Sequence, residues 1–435
     1  MAALRSPDRE RIRRLSKEGA WIVFGQATAV LGSLASVRLL TELLDPMAYG
    51  ELALGMTVAA VVNQTVIGPL GNGVARFYAP AQERGDLGGY LNAVRRLVSA
   101  ATMLIVLMIM LTVAGLVFAG RTRWIEITTA ALIFATLTGY NTILSGIQNA
   151  ARQRSIVALH QGMESWARFV VAAGLLLWLG ATSTVAMVGY AVAVVLVLGS
   201  QYAFFRKTVP RNATVKNGVR GWQEQIWKYS WPFGAWGIFS WAQQASDRWA
   251  LELFATTQEV GFYAALFQLG YYPMSMATGM AMQFLGPIFY QLAGDASDRR
   301  RNENVSRLSR RLTAWTLVLT GAVCLMAFLF HAQIFRILVA KEYAAVSYLL
   351  PWMLLAGGIF TAGQTMSLDL MSQMKTRSMV VVKISTSSLG ILFNFAGAYF
   401  LGIEGIVLAI VLFSVLYFVW LMTLSMKAAA NPGIK

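Results

Sequence analysis

The feature that most constrains the fold is a series of long apolar windows separated by short polar segments. Each window holds at least the roughly 20 residues that a helix needs to cross the hydrocarbon core of a bilayer. The windows are Gly19–Thr41, Tyr49–Tyr78, Leu97–Ala119, Trp124–Ile147, Ile156–Leu179, Thr184–Phe205, Trp227–Phe254, Val260–Leu292, Leu312–His331, Ala344–Leu370, Ser378–Phe400 and Gly405–Met426. With 57% hydrophobic and 13% charged residues, the sequence predicts an all-α polytopic membrane protein with about 12 transmembrane helices.

The distribution of basic residues predicts the orientation. Of the 36 lysines and arginines, 28 fall in the segments that a twelve-span topology places inside, 4 fall in outside segments and 4 lie within spans. Because positive charge accumulates in cytoplasmic loops, we predict a multi-pass protein of the cytoplasmic (inner) membrane with both termini in the cytoplasm. The net charge of +16 is then explained by the anionic bilayer surface as partner rather than by nucleic acid.

The longest inside loop divides the chain into two halves of six windows each. We therefore predict two pseudo-symmetric six-helix lobes. The predicted parts are a basic cytoplasmic tail at 1–18, an N-lobe at 19–205, a cytoplasmic linker at 206–226, a C-lobe at 227–426 and a cytoplasmic tail at 427–435.

An internal repeat supports the two lobes. In the first half Arg38 is followed four residues later by Glu42, and in the second half Arg248 is followed four residues later by Glu252. A polar turn and a glycine come next in each copy, and the distance from arginine to glycine differs by one residue. Repeats of this kind in membrane transporters commonly enclose a substrate path at their interface.

Several classes of chemistry are excluded by residue usage. The single cysteine, Cys324, permits neither an internal disulfide nor a cysteine-based zinc site. His160 and His331 are the only histidines, so no metal site is predicted. No nucleotide-binding P-loop motif occurs. We expect no cofactor, and coupling to a proton or to sodium is left open.

Charged residues within the spans are the first candidates for function, because a charge inside the bilayer is costly unless it is paired or faces water. Arg38 and Arg248 lie at equivalent positions of the repeat, near the outer ends of their spans. They either form ion pairs with the glutamates four residues on or face a cavity and bind an anion, since guanidinium matches phosphate bidentately. Asp247, which directly precedes Arg248, could bind another basic group or take up a coupling ion.

Further candidates are weaker. Glu164 and Arg168 form an i, i+4 pair in the fifth span, either as a structural pair or lining the cavity. Arg76 snorkels to headgroups or receives a phosphate on the cytoplasmic side. Gln64 and Gln283 join helices or contact a sugar.

The remaining polar and aromatic positions are predicted to be structural. Trp222 is predicted to anchor the chain at the membrane interface, as are Trp227 and Trp231. His160 is predicted to be interfacial, and Asp369 is predicted to lie at the surface.

Four strings of the sequence resemble a known family. They are "SVRLLTELLDPMAYGELALGM" (Ser36–Met56), "GPLGNGVARFYA" (Gly68–Ala79), "SDRWALELFATTQEVGFYAAL" (Ser246–Leu266) and "GYYPMSMATGMAMQFLGPIFYQLAGD" (Gly270–Asp295). They are similar to oligosaccharide (O-antigen-type) flippases of the polysaccharide transport family, within the multidrug/oligosaccharidyl-lipid/polysaccharide (MOP) superfamily.

The resemblance implies the MOP flippase fold and a flippase that is not an enzyme. Its substrate would be a polyprenyl-diphosphate-linked oligosaccharide for cell-surface polysaccharide synthesis, carried from the inner to the outer leaflet by alternating access. The implied substrate-binding residues are Arg38 and Arg248, with Arg168 and Arg76 after them. We expect a monomer, with a polysaccharide polymerase and glycosyltransferases as partners.

Two rival functions remain open. A multidrug-type cation-coupled exporter shares the twelve-span plan, but such exporters usually carry a carboxylate deep in the first span, where this chain has Arg38 and no acid before Glu42. A membrane polysaccharide polymerase or glycosyltransferase needs a substantial outside loop, whereas the longest predicted outside connection, His331 to Tyr343, is short.

Overall fold

The structure is a computed structural model that describes residue 25 and residues 27–208, 219–294, 298–373 and 376–430. The predicted tails before residue 19 and after residue 430 lie outside the described residues, as does the central part of the predicted linker, 209–218. Within the described ranges the chain forms helices and no strands. This confirms the predicted all-α class.

The helices follow the apolar windows. A first helix, α1, covers residues 27–43. The others are α2 Pro46–Val62, a π-helical turn Asn63–Ile67, α3 Gly68–Glu83, α4 Leu87–Phe118, α5 Ile125–Ala150, α6 Arg154–Leu179, α7 Ser183–Thr208, α8 Val219–Phe254, α9 Thr257–Leu269, α10 Tyr271–Ala293, α11 Arg299–Leu338, a 3₁₀ segment Lys341–Leu349, α12 Leu350–Ser372 and α13 Thr376–Ala430. In the described ranges eight helices are long and apolar enough to span a membrane. The polytopic character is therefore confirmed, while the total of twelve spans stays a prediction.

Two of these helices show how the sequence interrupts a span. α13 is broken at Gly402, whose positive φ of 57° is a backbone conformation that glycine adopts without steric cost. Two apolar windows therefore follow each other directly in α13. The π-helical turn between α2 and α3 is followed by Pro69, which has no N–H to donate to the carbonyl of Thr65 and so favours the wider turn at this position.

Contacts divide the described residues into two compact units. One unit contains the residues up to Ser36 together with Leu54–Trp241, and the other contains Val37–Ala53 together with the residues from Ala242 onward. Each unit thus takes part of its first helices from the other half of the sequence, because α1 and α8 are each shared between units. The predicted lobe limits at 205 and 227 describe the sequence repeat, whereas the contacts change unit within α1, α2 and α8.

In the first unit, α7 packs against α5 and α6, and α3 packs against α5. The beginning of α8 joins this unit through Trp222, which is 1% exposed. Its indole nitrogen donates to Asp86 Oδ2 at 2.8 Å, and its ring meets the edges of Phe77 and Tyr90. The predicted role of Trp222 as an interface anchor is therefore wrong: the indole instead compensates a buried carboxylate.

In the second unit, α12 is central and packs against α10, α11 and α13. Asp369, near the end of α12, is fully buried and accepts hydrogen bonds from Ser306 of α11 at 3.1 Å, Gln373 at 2.7 Å and Ser425 of α13 at 2.6 Å. The predicted surface position of Asp369 is wrong, because these three donors from three helices replace the water that a carboxylate otherwise needs.

His160 also differs from the sequence expectation. It is 1% exposed, its Nδ1 is 2.8 Å from the carbonyl oxygen of Ile156, and its Nε2 is 3.2 Å from Ser200 Oγ. Both ring nitrogens therefore have partners inside the first unit, and the expected interfacial position is wrong.

Candidate substrate-binding site

The best-formed cationic site of the second unit surrounds Arg248. The side chain is 13% exposed, and its guanidinium carbon lies 4.7 Å from the ring centre of Phe267 and 5.5 Å from that of Tyr263. Contact between guanidinium and an aromatic face is favourable and strengthens where water is excluded. The two rings, both from α9, hold the Arg248 side chain at the end of α8.

The partner of Arg248 is its neighbour in the sequence. Arg248 Nη1 lies 3.1 Å from Asp247 Oδ1 and 3.3 Å from Asp247 Oδ2, and Tyr263 donates its hydroxyl hydrogen bond to Asp247 Oδ2. The predicted alternative, an ion pair between Arg248 and the glutamate four residues on, is not what forms. Adjacent residues on a helix point in different directions, but the long arginine side chain folds back, also reaching the carbonyl oxygen of Gln244 at 3.4 Å.

One edge of this guanidinium remains available. Within the described part of the chain, every polar contact of Arg248 passes through Nη1. The Nη2 and Nε donors, which together form the edge that binds carboxylate or phosphate bidentately, are not used by the protein.

Arg38 belongs to the same unit although it comes from the first helix. Its Nη2 donates to Glu42, which confirms the predicted i, i+4 pair, and its Nη1 donates to the carbonyl oxygen of Val339. The pair is half exposed, at 38% for Arg38 and 48% for Glu42. Arg38 therefore ties the end of α1 to the segment that follows α11.

Aromatic rings connect the neighbourhoods of the two arginines. Tyr343, fully buried, donates from its hydroxyl to the carbonyl oxygen of Leu44 at 3.2 Å and meets Tyr49 edge to face at 5.8 Å. Tyr49 in turn is near enough to Arg248 to interact with it electrostatically. The fold thus brings together two arginines that the sequence places in separate halves.

The repeat glycines meet in this unit. Asp45 Oδ1 caps the start of α2 by accepting from the N–H of Ala48 at 2.7 Å, and Thr256 Oγ1 caps α9 by accepting from the N–H of Glu259 at 3.2 Å. Gly50 and Gly261 are each the fifth residue of the capped helix. A Cβ on Gly50 would lie 2.9 Å from the nitrogen of Gly261, and one on Gly261 would lie 3.1 Å from the nitrogen of Gly50. The repeat is therefore a structural one, with two equivalent helix starts in backbone contact.

The second candidate cluster lies in the first unit. Arg168 and Glu164 of α6 form the predicted pair, and Asn141 of α5 donates to the other oxygen of Glu164. The guanidinium carbon of Arg168 is 5.0 Å from the ring centre of Phe134. Arg168 Nε and Asn141 Oδ1 are buried and, among the described residues, have no hydrogen-bond partner.

The other predicted residues lie apart from these clusters. Arg76 is exposed on α3. Gln64 lies in the π-helical turn, where a Cβ on Gly237 of α8 would lie 2.7 Å from the carbonyl carbon of Gln64. Gln283 belongs to α10, but its side chain is outside the described residues. The functions predicted for these residues stay predictions.

The comparisons with known proteins agree with this architecture. A sequence model of a family described as polysaccharide biosynthesis protein matches residues 89–293. An inward-facing multidrug resistance MATE family transporter of the MOP superfamily superimposes with a TM-score of 0.72 at 14% identity, covering 94% of this chain and 96% of that chain. The chain has the fold of the MOP superfamily. Two further structures with this fold are lipid II flippase MurJ, with a TM-score of 0.71, 11% identity and coverage of 94% and 87%, and the Vibrio cholerae MATE transporter VcmN, with 0.54, 13% and coverage of 96% of each chain.

These matches confirm the relationship and the MOP fold that the sequence motifs predicted. The MOP fold is one that transporters and flippases have, and the multi-pass membrane character is confirmed with it. No curated protein matches the sequence.

Proposed function

We propose that this MOP-fold protein is a flippase for polyprenyl-diphosphate-linked oligosaccharides in polysaccharide biosynthesis. The observation that carries the proposal is the free Nη2 and Nε edge of Arg248, held by two aromatic rings at the end of a membrane helix. A diphosphate cannot cross hydrocarbon unaided, because removing its charge from water is very costly. A guanidinium with an unused bidentate edge replaces part of that hydration.

The pairing of the carboxylates favours an anionic substrate over a cationic drug. Glu164 is paired with Arg168 and Asn141, and Asp247 is paired with Arg248 and Tyr263. A cationic substrate would have to displace a guanidinium from either carboxylate, whereas an anion can use the guanidinium donors that remain free. The multidrug-type exporter is therefore the second candidate, supported by the similarity in fold to MATE transporters.

The rest of the assignment follows from this function. We propose that the protein acts in the cytoplasmic membrane with its termini in the cytoplasm, as the distribution of basic residues predicts. It would act by alternating access, receive its substrate from glycosyltransferases and deliver it to a polymerase on the outer face. The polyprenyl chain remains in lipid while the sugar and diphosphate pass through a hydrated path.

Complementation of a flippase-null strain tests the proposal. Arg248→Ala is expected to abolish surface polysaccharide while the protein is still found in the membrane, and Arg248→Lys, which keeps the charge but loses the bidentate edge, is expected to retain only a small part of the activity. Arg121→Ala, an exposed change in a connection between helices, is the control. Normal complementation by Arg248→Ala would refute the assigned role of this residue.

A further inference from the structure

An apolar groove opens on the second unit between α10, α11 and α12, apart from the Arg248 cluster. Its volume is about 370 Å³, and each helix contributes the same length of seven residues from first to last: Thr278 to Leu285, Leu312 to Leu319, and Thr361 to Leu368. At 1.5 Å per residue the groove is roughly 10 Å long. Its outer edge is formed by Trp315 and Leu319, which are 72% and 62% exposed on a helix that spans the membrane. The groove therefore opens toward acyl chains.

The threonines of the groove do not make it polar. Thr278 donates to the carbonyl oxygen of Met274 at 2.9 Å and to Thr361 Oγ1 at 2.6 Å, and Thr361 donates to the carbonyl oxygen of Gly357 at 2.7 Å. Thr316 likewise donates to the carbonyl oxygen one turn earlier, at 2.9 Å. Since their hydrogen-bond donors are satisfied within the helices, these side chains leave a wall suited to hydrocarbon.

One end of the groove continues into a basic surface on the same helix. Arg307 and Arg311 precede Trp315 and Leu319 at intervals of four residues, so each side chain is next to the following one on the surface of α11. Both arginines are exposed, and within the described ranges neither has an ion-pair partner. α11 is 40 residues long, about twice what a bilayer needs. Its arginine-rich end therefore lies at the level of the lipid headgroups.

We propose that this groove binds the prenyl chain of the lipid-linked substrate and that Arg307 and Arg311 bind its diphosphate. The inference rests on the proposed function and adds a docking site on the membrane-facing side of the second unit. Two guanidinium groups one turn apart complement two linked phosphates, and an apolar groove that begins beside Arg311 receives the first part of the chain. The substrate would bind here from the bilayer before its head group reaches the Arg248 cluster.

Photolabelling of the full-length protein in nanodiscs tests the site. The probe is a prenyl diphosphate with a diazirine in its chain, and labelled peptides are identified by mass spectrometry. Labels are expected within 278–285, 312–319 and 361–368. Leu319→Trp, which fills the groove, should reduce labelling about tenfold, whereas Leu325→Trp, at an exposed position of α11 outside the groove, should leave it unchanged. If Leu319→Trp does not fold, Thr316→Leu fills the same space.

The head-group contact has its own control. Arg307→Gln combined with Arg311→Gln should weaken probe binding about tenfold, while Arg336→Gln at the opposite end of α11 should not. Excess native prenyl diphosphate should compete with the probe. Equal competition by phosphatidylglycerol would show a general lipid site and overturn the proposal, as would labelling that is insensitive to the groove-filling change. If the unmodified protein translocates no lipid-linked glycan although labelling behaves as expected, the proposed function fails and the binding site stands.

Discussion

The contact between Gly50 and Gly261 leads to a quantitative prediction. A Cβ at residue 261 would lie 2.8 Å from the carbonyl carbon of Pro46 and 3.1 Å from the nitrogen of Gly50. Carbon atoms in contact prefer about 3.5–4.0 Å, so Gly261→Ala requires α2 and α9 to separate by roughly 0.7 Å or more. The atoms in the way are backbone, which cannot rotate aside. Overpacking of this kind costs about 1–3 kcal/mol, equivalent to a shift of roughly 5- to 150-fold in an equilibrium between a closed and an open contact.

The same shift is expected from Gly50→Ala, because its Cβ would lie 3.1 Å from the carbonyl carbon of Thr257. The double variant should cost less than the sum of the two, since one separation of the helices relieves both clashes. Gly279→Ala on the next helix is the matched control. A Cβ there meets nothing within 4 Å, and replacing glycine in a helix by alanine is otherwise stabilising by up to about 1 kcal/mol.

Two measurements follow this prediction. Spin labels on Met47→Cys and Gln258→Cys, in a background with Cys324→Ser, report the separation of the starts of α2 and α9. Both labelled positions are exposed. Gly261→Ala should broaden the distance distribution toward longer values and lower the midpoint of thermal unfolding, and Gly279→Ala should do neither. If Gly261→Ala kept the distance distribution and the stability of the parent protein, the backbone contact would be wrong.

Three further predictions concern buried polar groups. Trp222→Phe should destabilise the protein by about 1–3 kcal/mol by removing a donor from a buried carboxylate, whereas Trp227→Phe, at an indole 60% exposed, should change stability by less than about 0.5 kcal/mol; thermal unfolding in detergent distinguishes them. Glu164→Ala should cost about 3–5 kcal/mol because it leaves Arg168 unpaired, and adding Arg168→Leu should restore much of the loss in a double-mutant cycle; additive effects would contradict the pairing. Asp369→Leu should destabilise more than Asp369→Asn, because only asparagine can still accept a hydrogen bond from the surrounding donors; equal thermal midpoints would contradict the described network.

The positions of the helices could be predicted from the sequence, because apolar length is a local property. The twelve windows coincide with helical residues throughout the described ranges, and the pairs Arg38–Glu42 and Glu164–Arg168 form as the four-residue spacing predicts. The glycines that follow each arginine in the repeat also proved to be equivalent in the structure.

The partners of individual charges could not be predicted in the same way. Arg248 prefers its neighbour Asp247 because Phe267 and Tyr263 hold the guanidinium in place, and those rings come from a different helix. The burial of Asp369 depends on donors from three helices that are far apart in the sequence. No periodicity within one segment indicates such contacts, since they are created by the packing of helices.

The most direct test of the proposed function is translocation in reconstituted liposomes. Unmodified protein and Arg248→Lys would be supplied with a polyprenyl-diphosphate-linked oligosaccharide, and the fraction of glycan reaching the opposite leaflet would be measured by its accessibility to an added glycosidase. The account predicts rapid translocation by the unmodified protein, a large loss in Arg248→Lys, and no competition by a cationic drug. Translocation equal to that of protein-free liposomes, or transport of the drug in its place, would contradict it.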